Sequence, residues 1–166
     1  MKKIILIVLI ILITGSITVS AQDSYVFKTG ISMIDNVPKQ FFGTWQVASK
    51  ILETNSPKTF SSNGADMWNL RRSGNVIELR NPLTGAVAEI YLNDVNNNNI
   101  TFTHTQKEKF ITLTDTVSLK LNGNTFTGVN NLKLEVKKEE NNRLITETKT
   151  ATYQIKGTKV LGTSIF

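Results

Sequence analysis

The chain has 166 residues, no cysteine and a formal charge of +6. That length suits one domain that buries about two-thirds of its unfolded surface, so folding needs neither a metal nor a disulfide. The missing cysteine excludes disulfide frameworks, thiolate metal sites, cysteine nucleophiles and a lipid-modified N-terminal cysteine.

Residues 1–21 carry a signal-peptide pattern. Met1-Lys2-Lys3 is a positive start, Ile4 to Ile13 is unbroken and apolar, and Val19-Ser20-Ala21 supplies small residues for cleavage before Gln22. The apolar run is about half the roughly twenty residues that a membrane span needs, so cleavage is favoured over a retained anchor. A secreted or periplasmic protein with no stable membrane insertion is expected. Removing Lys2 and Lys3 leaves +4 on the remainder. The run Lys133, Lys137 and Lys138 is offset by Glu135, Glu139 and Glu140. That is a solvated face and not a nucleic-acid footprint.

Residues 22–41 read as an N-terminal arm. Ile31, Met33, Ile34 and Val37 are apolar enough to pack, and a short helical turn before Phe42 would close one end of the domain beyond it. Residues 42–166 read as an all-β domain. Strands are expected at Gly43–Glu53, Asp66–Arg72, Asn75–Asn81, Ala86–Asn93, Ile100–Lys107, Phe110–Leu121, Thr125–Lys137, Arg143–Lys156 and Thr158–Ile165. A loop over 54–65 is the longest connection. Asparagine and glycine mark the tight turns between the others. About eight or nine short strands in this order predict a single up-and-down antiparallel barrel, because closure removes exposed strand edges.

One hairpin can be set in register from its turn. With Asn122-Gly123 as the two central residues, Leu121 faces Asn124, Leu119 faces Phe126, Val117 faces Gly128, Asp115 faces Asn130 and Leu113 faces Leu132. Apolar residues then share one face, while Thr112, Thr114, Thr116, Ser118 and Lys120 share the other. A one-residue slip would invert every side chain, so the pattern fixes which face is core. A water-suited outer face also argues against a membrane barrel, whose outer face is apolar.

The stretch Val37-Pro38-Lys39-Gln40-Phe41-Phe42-Gly43-Thr44-Trp45 resembles the start of a lipocalin-type (calycin) barrel, through Gly43 and Trp45 of its Gly-x-Trp motif. The resemblance covers residues 37–156 in strand order. It implies that Trp45 packs across the closed barrel end beneath a basic residue from a late strand. Arg143, Lys149 and Lys156 are the candidates for that residue. It also implies a small-molecule ligand in the barrel and a first long loop that acts as a lid.

Strand parity places polar candidates inside. Ile100, Phe102 and Phe110 point one way, with His104 and Gln106 on their face. Asp115 and Asn130 lie among apolar neighbours, and Glu147, Lys149 and Tyr153 share a side of the strand 143–156. Trp68 could line the barrel mouth. The candidate cavity lining is therefore Trp68, His104, Asp115, Asn130, Lys149 and Tyr153, a few polar groups on an apolar wall. The competing structural reading puts these groups near wet barrel ends, with Glu147 and Lys149 paired. No catalytic residue or metal site is expected: the lone His104 has no orienting partner in sequence, and no phosphate loop or metal motif is present. No cofactor is expected. The leading expectation is an exported carrier of a small, partly apolar molecule. The alternative is an exported interaction module, such as an inhibitor, surface or assembly factor, with a packed barrel and no ligand.

Overall fold

The computed structural model describes residues 33–140 and 143–161; the leader, most of the arm and the last five residues lie outside them. Eight antiparallel strands succeed one another as a meander, and the last pairs with the first to close a ring. They are β1 (Gly43–Thr54), β2 (Asn63–Ser73), β3 (Val76–Arg80), β4 (Val87–Asn96), β5 (Asn99–Glu108), β6 (Ile111–Asn122), β7 (Thr125–Glu140) and β8 (Arg143–Leu161). Alternation decides which side chains are inside. Trp45 and Val47 of β1, Trp68 and Leu70 of β2, and Ala151, Tyr153 and Ile155 of β8 are all buried.

The sequence reading divides 143–165 into two strands around Gly157, whereas β8 runs through it. Gly157 pairs with Phe126 on one side and Val47 on the other. A Cβ at 157 would collide with the Phe126 ring. The glycine is therefore a seat for that ring and not a turn.

The β6–β7 hairpin also corrects the expected register. Its central residues are Gly123-Asn124, with Gly123 at φ 58°, so glycine takes the first central position as in a type II′ turn. Leu121 pairs with Phe126, Leu119 with Gly128, Val117 with Asn130 and Asp115 with Leu132. The shift from expectation is two residues, so every side chain keeps its predicted face.

One end of the ring is closed by 3-10 turns at Met33–Asn36 and Lys39–Phe41, which bury Ile34, Val37 and Phe41. Trp45 is fully buried there and donates its indole N–H to the Phe41 carbonyl at 2.9 Å. Its ring lies 5.1 Å from that of Phe126, which stacks on Trp68 at 5.9 Å. The basic group over Trp45 is Lys159, with Nζ 5.0 Å from the ring and donating to the Gln40 carbonyl at 2.6 Å. None of Arg143, Lys149 and Lys156 holds that position. Lys159 faces the interior because it has the parity of Tyr153, Ile155 and Gly157, which a turn at Gly157 would have broken.

Gly157→Ala should lower stability by about 2 kcal/mol, because the Phe126 ring must leave its position in a packed core. Urea unfolding followed by tryptophan fluorescence measures it, and an unchanged midpoint would contradict this account of the seat.

Candidate functional site

The opposite end, called the mouth here, is where loop 55–62 and the turns after β3 and β5 lie, and where β7 ends and β8 begins. Its polar groups fall into two clusters on facing walls, with a partly covered rim above.

The first cluster centres on Asp66, which alternation turns inward two residues before Trp68. Its Oδ1 accepts the Met67 backbone N–H at 2.8 Å and also the Asn81 amide; its Oδ2 accepts the Trp68 indole N–H at 3.2 Å. Burial pushes the Asp66 carboxyl up, although the donors from Met67, Trp68 and Asn81 oppose the shift. Asn81 is buried and also organises its own turn. Its Oδ1 accepts the N–H groups of Leu83 at 2.8 Å and Thr84 at 3.1 Å, while its backbone N–H donates to Ala86 O at 2.8 Å. Sequence reasoning missed both residues. Asn81-Pro82 was a visible signal, since asparagine before a proline turn commonly holds the N–H groups just after it.

The second cluster is Asp115 on β6 and Asn130 on β7, both buried and hydrogen-bonded to each other. They are diagonal neighbours and not the directly facing pair expected. Burial raises the Asp115 carboxyl to about 7. His104 lies opposite Asp115 on β5, half-buried, with Nδ1 3.3 Å from the Glu89 carbonyl. Desolvation lowers its pKa.

Of the other predicted residues, Trp68 lines a small void together with Asn130, and Tyr153 and Lys149 are not among its lining. Trp68 belongs to the aromatic core, against Phe126 and Phe102. Tyr153 is fully buried and donates its hydroxyl to Ser61 O at 2.9 Å, which fastens loop 55–62. Lys149 sits half-buried at the rim, 3.3 Å from Glu147, which also pairs with Lys138. Phe110, expected inside with Phe102, is half exposed in the β5–β6 turn. There the chain leaves the sheet and parity no longer governs it.

Between the clusters lies a void of about 20 Å³, lined by Val47, Ser49, Asp66, Trp68, Asn130 and Ile155. That is room on the scale of one water. Loop 55–62 covers the mouth and inserts Phe60, only 4% exposed. The Ile51 N–H donates to Ser62 O at 2.8 Å, and Ser56 and Thr59 join their hydroxyls at 2.8 Å. β7 and β8 continue past the ends of β1 and β6, so a two-stranded ribbon projects beyond the rim.

No protein-family model, curated protein or solved structure matches this chain.

Tyr153→Phe removes the tether to Ser61 and little else. It should cost about 1 kcal/mol and speed amide exchange in loop 55–62 before the strands respond. Hydrogen exchange read by mass spectrometry checks this; equal acceleration everywhere would mean that the hydroxyl does not hold the loop.

Proposed function

We propose that this is an exported calycin-type barrel acting as an interaction module, with a filled interior and a partner-binding surface at its mouth. The observation that carries the reading is the small void between the polar clusters beside an apolar rim. A void of about 20 Å³ contrasts with the roughly 300 Å³ or more of ordinary small-molecule pockets. Around the projecting ribbon, Phe110 (50%), Ile111 (40%), Leu144 (63%) and Ile145 (40%) are exposed. Leu144 and Ile145 are consecutive on β8, so the ribbon presents apolar groups on both faces, and exposed apolar groups gathered at one end of a ring suit an interaction surface. The calycin kinship draws on the eight-strand meander, the 3-10 turn before Gly43-x-Trp45, and Lys159 over the tryptophan. Export draws on the leader pattern of residues 1–21.

The carrier reading is kept as second, on one observation. Loop 55–62 covers the mouth, and its Phe60 fills space that a guest would take if the loop swung away. A carried molecule would then meet Ser49, Asp66 and Asn130 beneath it.

Native mass spectrometry of protein purified from its own source separates the two. The expected mass is that of an unliganded chain beginning at Gln22. A retained small molecule would put the carrier reading first, and a chain still holding residues 1–21 would refute cleavage.

A photo-crosslinker at Leu144 should capture a discrete partner in the native host, while one at Tyr91, on the outer face of β4, should not. The double variant Phe110→Ser, Leu144→Ser should keep its stability within about 1 kcal/mol, since both side chains are exposed. It should lose the crosslink formed from Ile145. Equal capture from Tyr91 and Leu144 would remove the mouth as the binding surface.

A further inference from the structure

Asp115 and Asn130 are 5% and 1% exposed. They hydrogen-bond each other, yet each keeps one buried oxygen, Asp115 Oδ1 and Asn130 Oδ1, with no partner among the described residues. An ionised carboxylate only accepts hydrogen bonds, whereas a primary amide both donates and accepts. With Asp115 ionised, the amide N–H₂ gives the carboxylate its bond, and two acceptors stay orphaned beside a buried charge. Each of those features is costly in a dry core. One added proton removes all three. It neutralises the carboxyl, turns one oxygen into a donor, and lets that donor reach the amide oxygen.

We propose that the folded protein holds Asp115 as a neutral carboxylic acid, joined to Asn130 by two reciprocal hydrogen bonds, and that this shared proton is a pH-sensitive latch on the β6–β7 wall. The latch is independent of the proposed partner binding.

The surroundings leave the carboxylate without a cation to hold its charge. From β5, His104 is opposite, and desolvation disfavours its charged form. From β8, Tyr153 is opposite Asn130, with its hydroxyl engaged by Ser61. Lys149, nearer the rim, pairs with Glu147. Leu132 faces Asp115 directly on β7. From β2, Asp66 is an acid already supplied with three donors. The buried inward residues of β3 and β4 are Ile77, Leu79, Ala88 and Ile90, and β1 contributes Trp45 and Val47 with Ser49 at the void.

These surroundings set the sign of the pH effect. In the unfolded chain this carboxyl titrates near 3.8, and in the folded chain near 7. Between those values the unfolded state releases the proton and the folded state keeps it, so stability falls as pH rises. The contribution is complete below about 4, is lost through about 7, and is flat above. From pH 5 to pH 8 the folding equilibrium constant should fall about a hundredfold on this account, at tenfold per pH unit. His104 works in the opposite direction, because its neutral folded form is penalised by acid, so a variant is needed to isolate Asp115.

The test combines Asp115→Asn with a direct titration. Two amides can form the same reciprocal pair without a titrating proton, so D115N should fold and lose the hundredfold dependence between pH 5 and pH 8. In the unaltered protein, the ¹³C signal of the Asp115 carboxyl should titrate near neutrality. A signal titrating in the ordinary carboxylate range, or a pH dependence unchanged in D115N, overturns the latch. If D115N does not fold, the carboxyl titration of the unaltered protein decides alone.

Discussion

The structure depends on the pairing of its first strand with its last. β1 and β8 join at about a hundred residues' separation, from Thr44 with Leu161 to Thr54 with Ala151. Loop-closure entropy grows only logarithmically with length, so closing so long a chain costs little more than closing a shorter one. The gain is that no ring strand is left with an open edge along its paired length. Closure also turns alternation into an inside and an outside. Trp45 and Trp68, direct partners across β1 and β2, meet Phe126 of the distant β7 because closure forces all three strands to share one interior. Lys159 can cover Trp45 only because β8 continues unbroken past Gly157 alongside β1.

Closure is incomplete beyond the β1–β8 pairing, and the sequence treats that place differently. On the N-terminal side of Ala151, β8 has no strand beside it on the β1 side among the described residues. Asn55 stands in for one. Its Oδ1 accepts the Thr150 N–H at 2.8 Å, and its Nδ2 donates to Thr148 O at 3.3 Å. Farther out the ribbon carries Lys138 paired with Glu147, the charged pattern that keeps free edges from pairing without control. Leu144 and Ile145 are exposed on this same ribbon. A protected edge that nonetheless presents apolar side chains is better suited to a specific contact than to a solvated tip.

The alternation that defines the fold was legible in the sequence because strand period is insensitive to small errors of register. The hairpin at 122–125 illustrates this: taking Asn122-Gly123 in place of Gly123-Asn124 moves the pairing by two residues and changes no face. What depends on absolute position was not legible. Gly157 looks like a turn because a glycine required for close ring packing and one required for chain reversal read alike in one dimension. That error cuts β8 short and removes Lys159 from the candidates over Trp45. Tyr153 reads correctly as inward, but its task of holding Ser61 depends on where a long loop folds back, and periodicity carries no such information. Asp66 was hidden because it sits where the loop 54–65 is expected to give way to strand, while the strand already begins at Asn63.

The two polar clusters at the mouth show different ways of keeping a carboxyl inside a β ring. Asp66 receives donors from its own strand and from a neighbouring turn, so its oxygens are satisfied by backbone N–H, indole and amide groups. Asp115 lies mid-strand, where backbone N–H groups are committed to β5 and β7, and its one side-chain partner is an amide with a single face to offer. Position in the sheet therefore sets how each acid meets its burial. The acid where β2 has no β3 partner, since that pairing spans only Asn69–Ser73, finds donors, and the acid paired on both sides is better served by a proton. The carboxyl that cannot be satisfied by the fold is the one that couples the core to solution pH.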